Sequence, residues 1–88
     1  MILIGNTIVF KREDGSTGFY WLCDICSDGY LFFNWYGNPR KADAADYWKV
    51  DKRWVDAKVN DGTIEVYDSL PLDLYGDIFE RQAIERSR

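Results

Sequence analysis

The stretch GFYWLCDICSDGYLFFNWY, residues 18–36, decides the fold of this chain. It holds two runs rich in aromatic and β-branched or aliphatic residues, 18–25 and 30–36, and such runs are typical of β-strands. Asp28-Gly29 lies between the runs, and an Asp-Gly pair favours a tight two-residue hairpin loop. The sequence therefore predicts an antiparallel hairpin at the centre of the chain.

This predicted hairpin is apolar on both faces. The tight loop would place Ser27 opposite Tyr30, with Trp21 and Phe32 on one face of the pair. The other face would carry an aromatic-aliphatic patch formed by Tyr20, Leu22, Leu31, Phe33 and Trp35. Because strands that cover a single core alternate apolar and polar residues, two alternatives stay open. Either the hairpin is covered on both sides at the centre of a sheet, or the patch is a binding surface.

Turn signals divide the rest of the chain into further elements. A strand is predicted at 7–11, a helix at about 39–49 behind the capping residue Asn38, and a second hairpin with strands at 55–59 and 64–67 around Asp61-Gly62. A C-terminal helix is predicted from about 70 to 86, packed on the sheet through Leu74, Ile78 and Phe79. The predicted order is three strands, a helix, two strands and a helix. This is an α+β fold with an antiparallel sheet of about five strands, and an SH3-like partial barrel fits the same order.

Length and composition predict a single domain that spans residues 1–88. The 88 residues are 47% apolar and 17% aromatic, which supports one modest core and disfavours disorder. The chain begins with Met1, and we expect a complete small gene product. With two cysteines and neither an export signal nor a membrane span in the sequence, we expect a soluble, cytoplasmic protein.

The sequence offers no recognisable catalytic set. Histidine is absent, the acids are scattered, and general acid–base catalysis needs paired carboxylates or a histidine in a pocket. A nucleophilic Ser or Cys would have no base beside it, and the glycines do not have the spacing of a phosphate-binding loop. We therefore expect a protein that is not an enzyme and uses no cofactor.

Cys23-Asp24-Ile25-Cys26 is the one familiar motif. A structural zinc site needs more ligands than the two cysteines of this histidine-free chain supply. Residues three apart on a strand lie roughly 10 Å apart on opposite faces, beyond the reach of a disulfide. We expect two inert thiols and no metal; the alternatives are redox chemistry and a zinc ion shared between chains.

Charge is uneven along the chain, whose net charge is −4. Seven acids and one base, Lys58, lie between Asp56 and Glu80. An acidic band of this kind steers a basic partner, although solubilising surfaces also carry many acids.

By elimination, we expect a non-catalytic inhibitor or regulator that binds a basic protein, for example one that itself handles nucleic acid. Small acidic domains of bacteria and phages often act this way, as immunity proteins, antitoxins and anti-CRISPR or other anti-defence proteins do, although this analogy rests on class alone. We expect a monomer or homodimer with no membrane association. The residues expected to contact the partner are Glu65, Asp68, Asp73, Asp77, Tyr67, Tyr75, Tyr20, Phe33 and Trp35.

The alternative function is a single-stranded nucleic-acid-binding module. Bases would stack on the aromatic sheet face, with Lys11, Arg12 and Arg40 near the phosphates. The negative net charge makes nucleic acid the less favoured partner.

Overall fold

A computed structural model describes residues 2–87. Its strands are β1 (Thr7–Lys11), β2 (Thr17–Ile25), β3 (Gly29–Asn34), β4 (Tyr47–Asp51) and β5 (Ile64–Tyr67), and its α-helices are α1 (Lys52–Asn60) and α2 (Leu72–Arg86). Short 3-10 turns at Pro39–Lys41 and Ala44–Asp46 precede β4. The strands form one open sheet in the order β4-β3-β2-β1-β5, and every neighbouring pair is antiparallel. The predicted α+β class and five-stranded antiparallel sheet are confirmed.

The predicted order of elements is wrong between residues 39 and 60. The chain forms a fourth strand before its first helix, because Trp48 and Val50 pair with Phe32 and Tyr30 of β3. Asp51 then starts α1, where its side chain accepts a hydrogen bond from the N–H of Arg53 at 2.7 Å. Both predicted elements are therefore wrong. Residues 39–49 form two 3-10 turns and the start of β4, and residues 55–59 lie within α1.

Asp61-Gly62 ends α1 and does not turn a hairpin. Gly62 has a φ of +82°, and its N–H donates to the carbonyl of Val59 at 3.2 Å. A glycine in the left-handed region just after a helix satisfies its last carbonyls. After this turn β5 pairs with β1, with Ile64 opposite Phe10.

The register predicted for β2 and β3 is also wrong. The last pair before the loop is Ile25 with Tyr30, and an irregularity between Leu22 and Asp24 shifts the remaining pairs. Gly29 opens β3, where an added Cβ would lie 2.7 Å from the carbonyl oxygen of Val50. The close approach of β4 thus explains this glycine better than a positive φ does.

The corrected register divides the predicted aromatic patch between the two faces of the sheet. Tyr20 and Leu22 join the core on the face that α1 covers, together with Phe32. Phe33 and Trp21 lie on the opposite face, with ring centroids 5.7 Å apart. Trp21 and Phe32 therefore do not share a face, contrary to the prediction.

Both faces of the central strands are covered. The first core consists of Ile2, Ile8, Leu22, Phe32, Val55 and Ile64. On the other face, Phe19 of β2 contacts Tyr36, Tyr75 and Phe79. Of the two alternatives left open by the sequence, a hairpin covered on both sides is the one observed.

The side of α2 that packs on the sheet differs in part from the prediction. Tyr75 and Phe79 face the sheet, and Ile78 is half-buried. Leu74 is 64% exposed, so its predicted role in packing is wrong. The aromatic residues decide the rotation of the helix, since they sit four positions apart on one side of it.

Candidate interaction surfaces

Glu65 is the centre of a hydrogen-bonded cluster that joins three elements. Its Oε1 accepts hydrogen bonds from the hydroxyl of Tyr75 on α2 and, at 2.8 Å, from the hydroxyl of Tyr67 on β5. Its Oε2 lies 3.4 Å from Nζ of Lys11 on β1. We term these four residues the Glu65 cluster.

The Glu65 cluster favours one protonation state for each partner. The hydrogen bond from Tyr75 is the main cause that lowers the pKa of Glu65, with Tyr67 and Lys11 adding to it and burial opposing it. The same bond to the carboxylate raises the pKa of Tyr75, and burial followed by the contact with Glu65 raises the pKa of Tyr67. The carboxylate is thus held ionised and the phenols neutral, which ties α2 to the sheet.

The outward side of α2 carries exposed acids beside exposed aliphatic residues. Asp73, Asp77 and Glu80 are spaced four and three apart and are exposed, so they form one stripe. Leu72, Leu74 and Ile84 are 54%, 64% and 57% exposed. Leu72 lies seven residues before Phe79 and therefore on the sheet-facing side of the helix. We term the other five residues the α2 outer face. Asp68, also exposed, lies in the segment between β5 and α2.

The aromatic residues predicted to bind a partner have little free surface. Phe33 is 2% exposed, and the half-buried ring of Tyr20 lies 5.0 Å from that of Trp48. Trp35 is half-buried, and its indole N–H has no hydrogen-bond partner within residues 2–87. These three residues therefore offer a partner little free surface, in contrast to the exposed acids of α2.

Sequence reasoning missed the exposure of Leu72, Leu74 and Ile84. A signal was available, because the apolar residues of α2 are too many for one stripe. A helix that packs through Tyr75 and Phe79 leaves the residues on its far side, such as Leu74 and Ile84, in solvent. Which apolar residues those are depends on the rotation of the helix.

Cys23 and Cys26 are free and half-buried. Sγ of Cys23 lies 3.2 Å from the carbonyl oxygen of Leu31, to which the thiol donates. Burial raises the pKa of Cys23, which lowers the fraction of reactive thiolate. Within residues 2–87 no cluster of three or more Cys, Asp or Glu side chains is placed to hold a metal ion.

No helix in the described part of the chain has the length and apolar character needed to cross a membrane. Comparison of the chain with protein-family models, curated proteins and solved structures gave no significant match.

Proposed function

We propose that the protein is a non-catalytic inhibitor or regulator that binds a basic protein through the α2 outer face. The observation that carries this proposal is the position of Leu74, which is 64% exposed beside the exposed acids Asp73 and Asp77. Exposed aliphatic residues rimmed by charges are typical of protein interfaces.

The charges favour a basic partner. Between Asp68 and Glu80 the chain has four acids and no base. Glu65 is not counted with these four acids, because its carboxylate pairs with Lys11. Acids concentrated on one surface speed encounter with a basic protein, and this effect weakens beyond a Debye length of about 8 Å at physiological salt.

The aliphatic residues would supply the buried apolar surface that stabilises the complex. Burial of apolar surface contributes roughly 25 cal/mol per Å², while rim charges contribute more to association rate than to affinity. Leu74 and Ile84 would supply the apolar contacts, with Asp77 between them in sequence on the same side of the helix. Tyr75 packs on Phe19 of the sheet, and the hydroxyls of Tyr67 and Tyr75 already bind Glu65.

The cellular setting that we propose comes from analogy with classes of small acidic inhibitors. Immunity proteins, antitoxins and anti-CRISPR proteins act in the cytoplasm of bacteria, and we propose that setting for this protein. We also propose that the sheet curves into an SH3-like partial barrel, because α1 contacts both of its edge strands, β4 and β5.

Site-specific crosslinking tests the proposal. A photoreactive amino acid at position 74 should capture a basic protein in extracts of the cells that make this chain, and the same group at Ala57 on the exposed side of α1 should not. The purified partner should then bind more slowly to the double variant Asp73→Lys/Asp77→Lys, by about tenfold or more at low salt. The double variant Glu13→Lys/Asp56→Lys has the same change in charge at other exposed positions and should bind at the wild-type rate.

Two results would contradict the proposal. One is equal association rates for both double variants. The other is capture of a single-stranded nucleic acid whose binding improves after Asp73→Lys/Asp77→Lys, which would favour the alternative function.

A further inference from the structure

A cleft of about 340 Å³ opens at the end of the sheet, where β3 separates from β2. The N–H of Trp35 donates to the carbonyl of Phe19 at 3.0 Å, and the N–H of Gly37 then donates to the carbonyl of Asn34 at 2.9 Å. The chain thus turns away from β2, whose first residues extend beyond the end of β3. The last turns of α2 form the opposite wall. We term this the end cleft and define it by Arg12, Gly18, Tyr20, Tyr36, Gln82 and Arg86.

Arg12 is fixed on one wall by neutral partners. It donates from Nη2 to the hydroxyl of Tyr20 at 2.7 Å and from Nη1 to Oγ of Ser16 at 3.2 Å. An added Cβ at Gly18 would lie 2.7 Å from both Nη2 of Arg12 and Cε2 of Tyr20. The guanidinium and the phenol therefore lie directly against the backbone of β2, and a Cβ at position 18 would displace them.

Arg86 is held at the other wall, also by a neutral partner. Its guanidinium carbon lies 4.6 Å from the centroid of the Tyr36 ring. The hydroxyl of Tyr36 is 3.0 Å from the carbonyl oxygen of Phe79 and 3.1 Å from Oε1 of Gln82. Burial raises the pKa of Tyr36 to about 12, although Arg86 opposes the rise. This hydroxyl is therefore neutral at physiological pH.

Both guanidiniums of the cleft are held without a direct ion pair to a carboxylate of residues 2–87. Among residues 2–87, Lys11 pairs with Glu65 and Lys49 with Asp28, whereas neither Arg12 nor Arg86 pairs with a carboxylate. Glu13 and Asp14 follow Arg12 in sequence. Asp14 accepts hydrogen bonds from Ser16, which chiefly lower its pKa, and the nearby charge of Arg12 lowers it further. Glu85 also lines the cleft, which leaves the lining with a surplus of positive charge in a protein of net charge −4.

We propose that the end cleft binds a small ligand that carries a phosphate or carboxylate group, with the oxyanion held between Arg12 and Arg86. A guanidinium has more N–H donors than the observed contacts of Arg12 use, and its fork matches both oxyanions. The volume of the cleft falls within the range of small-molecule sites, so it accommodates more than the oxyanion alone. The rest of the ligand would lie against the ring of Tyr36 and the amide of Asn34.

This inference is independent of the proposed function. The end cleft uses Gln82 and Arg86 of α2, whereas the variants that test the docking of a basic protein change Asp73 and Asp77 near the start of the helix. Loss of one activity therefore leaves the other measurable in the same variants.

Titration of the full chain, followed by NMR of backbone amides and arginine side-chain Nε–H groups, tests the proposal. The probes are inorganic phosphate, adenosine monophosphate, acetate and benzoate, which separate the two oxyanions and the effect of an attached ring. At least one oxyanion should give saturable shifts at Gly18, Arg12 and Arg86 below about 20 mM, and its ring-bearing form should bind more tightly. Arg12→Gln and Arg86→Gln should each weaken that binding about tenfold or more, whereas Arg53→Gln, at an exposed position on α1, should not.

The NMR spectra of the variants report directly whether each is folded. Arg86→Gln lies in the last turn of α2, so it tests the proposal even if Arg12→Gln disturbs the sheet. The proposal is overturned if none of the four probes gives saturable shifts in the wild-type protein. It is equally overturned if binding is unchanged in Arg86→Gln, or if Arg53 responds as strongly as Arg86.

Discussion

The ring of Tyr36 stacks on the ring of Phe79, with centroids 4.7 Å apart and planes 18° from parallel. Phe19 packs edge-on against both rings, at 6.3 Å and 5.2 Å. Tyr36 follows β3 and Phe79 lies in the middle of α2, so this contact joins the helix to the sheet. It also turns Leu74 and its acidic neighbours outward.

Phe79→Ala should therefore lower the free energy of unfolding by about 2–3 kcal/mol, somewhat less than a fully buried phenylalanine contributes. Leu74→Ala is the matched control on the same helix. Because Leu74 is 64% exposed, its truncation should change stability by less than about 0.5 kcal/mol. Urea unfolding followed by tryptophan fluorescence measures both variants. Equal losses would mean that the rotation assigned to α2 is wrong.

Asp51→Ala should cost about 1 kcal/mol, since it removes the side chain that caps α1. The cap is the hydrogen bond from the N–H of Arg53 to Oδ1 of Asp51. Asp51→Ser keeps an acceptor and should recover most of the loss, which thermal unfolding would detect. An alanine variant as stable as the wild type would argue against a helix at 52–60.

Two glycine-to-alanine substitutions should change stability in opposite directions. A Cβ at Gly37 would lie 2.8 Å from Cε1 of Phe33 and 2.9 Å from Cγ of Asp46, so Gly37→Ala should cost about 1–3 kcal/mol through overpacking. Gly76 lies within α2, and an added Cβ there would have nothing within 4 Å apart from its chain neighbours and the backbone of the helix, so Gly76→Ala should add about 0.5–1 kcal/mol. Calorimetric melting temperatures compare the two. Shifts of the same sign would contradict the packing around Gly37 or the helical state of Gly76.

Glu65 should make part of the stability depend on pH. Its folded-state pKa is lowered, chiefly by the hydrogen bond from Tyr75. The resulting stabilisation is complete above the unfolded pKa of about 4.3 and is lost as pH falls through the lower folded value. The wild-type protein should thus exceed Glu65→Gln in stability at pH 7, and the difference should shrink below about pH 4.

Urea unfolding at a series of pH values measures this difference. Tyr75→Phe removes the main donor and should lose a share of the same pH dependence. A difference between wild type and Glu65→Gln that stays constant from neutral to acid pH would rule out the Glu65 cluster as its source.

The central strands could be predicted from sequence because runs of aromatic and aliphatic residues with apolar side chains on both faces are typical of strands buried within a sheet. Their register could not be predicted, because the irregularity beside Cys23 has no signal in the local sequence. The need for glycine at position 29 comes from the carbonyl of Val50 on β4, which is distant in sequence. Residues 55–59 were ambiguous for a physical reason. Val55, Ala57 and Val59 alternate as in a strand, yet Val55 and Val59 also share one side of a helix.

The candidate surfaces were predictable only in part. The acids of α2 could be read from the sequence, because Asp73, Asp77 and Glu80 have helical spacing. The exposure of Leu74 depends on the rotation of α2, which the contact between Tyr36 and Phe79 sets across 43 residues of chain. The pairing of Glu65 with Lys11 spans 54 residues, and local patterns carry no information on such distant partners.

The pairing of β1 with β5 has a consequence for the nascent chain. β1 leaves the ribosome early, but its second edge stays unpaired until β5 follows, and 54 residues separate Lys11 from Glu65. At translation rates of 5–20 residues per second this delay is about 3–10 s. During it, Ile8 and Val9 lie on an open strand edge that another polypeptide can join. Slow codons between β4 and β5 would prolong that interval, so the speed of translation there should affect how much of the protein escapes aggregation.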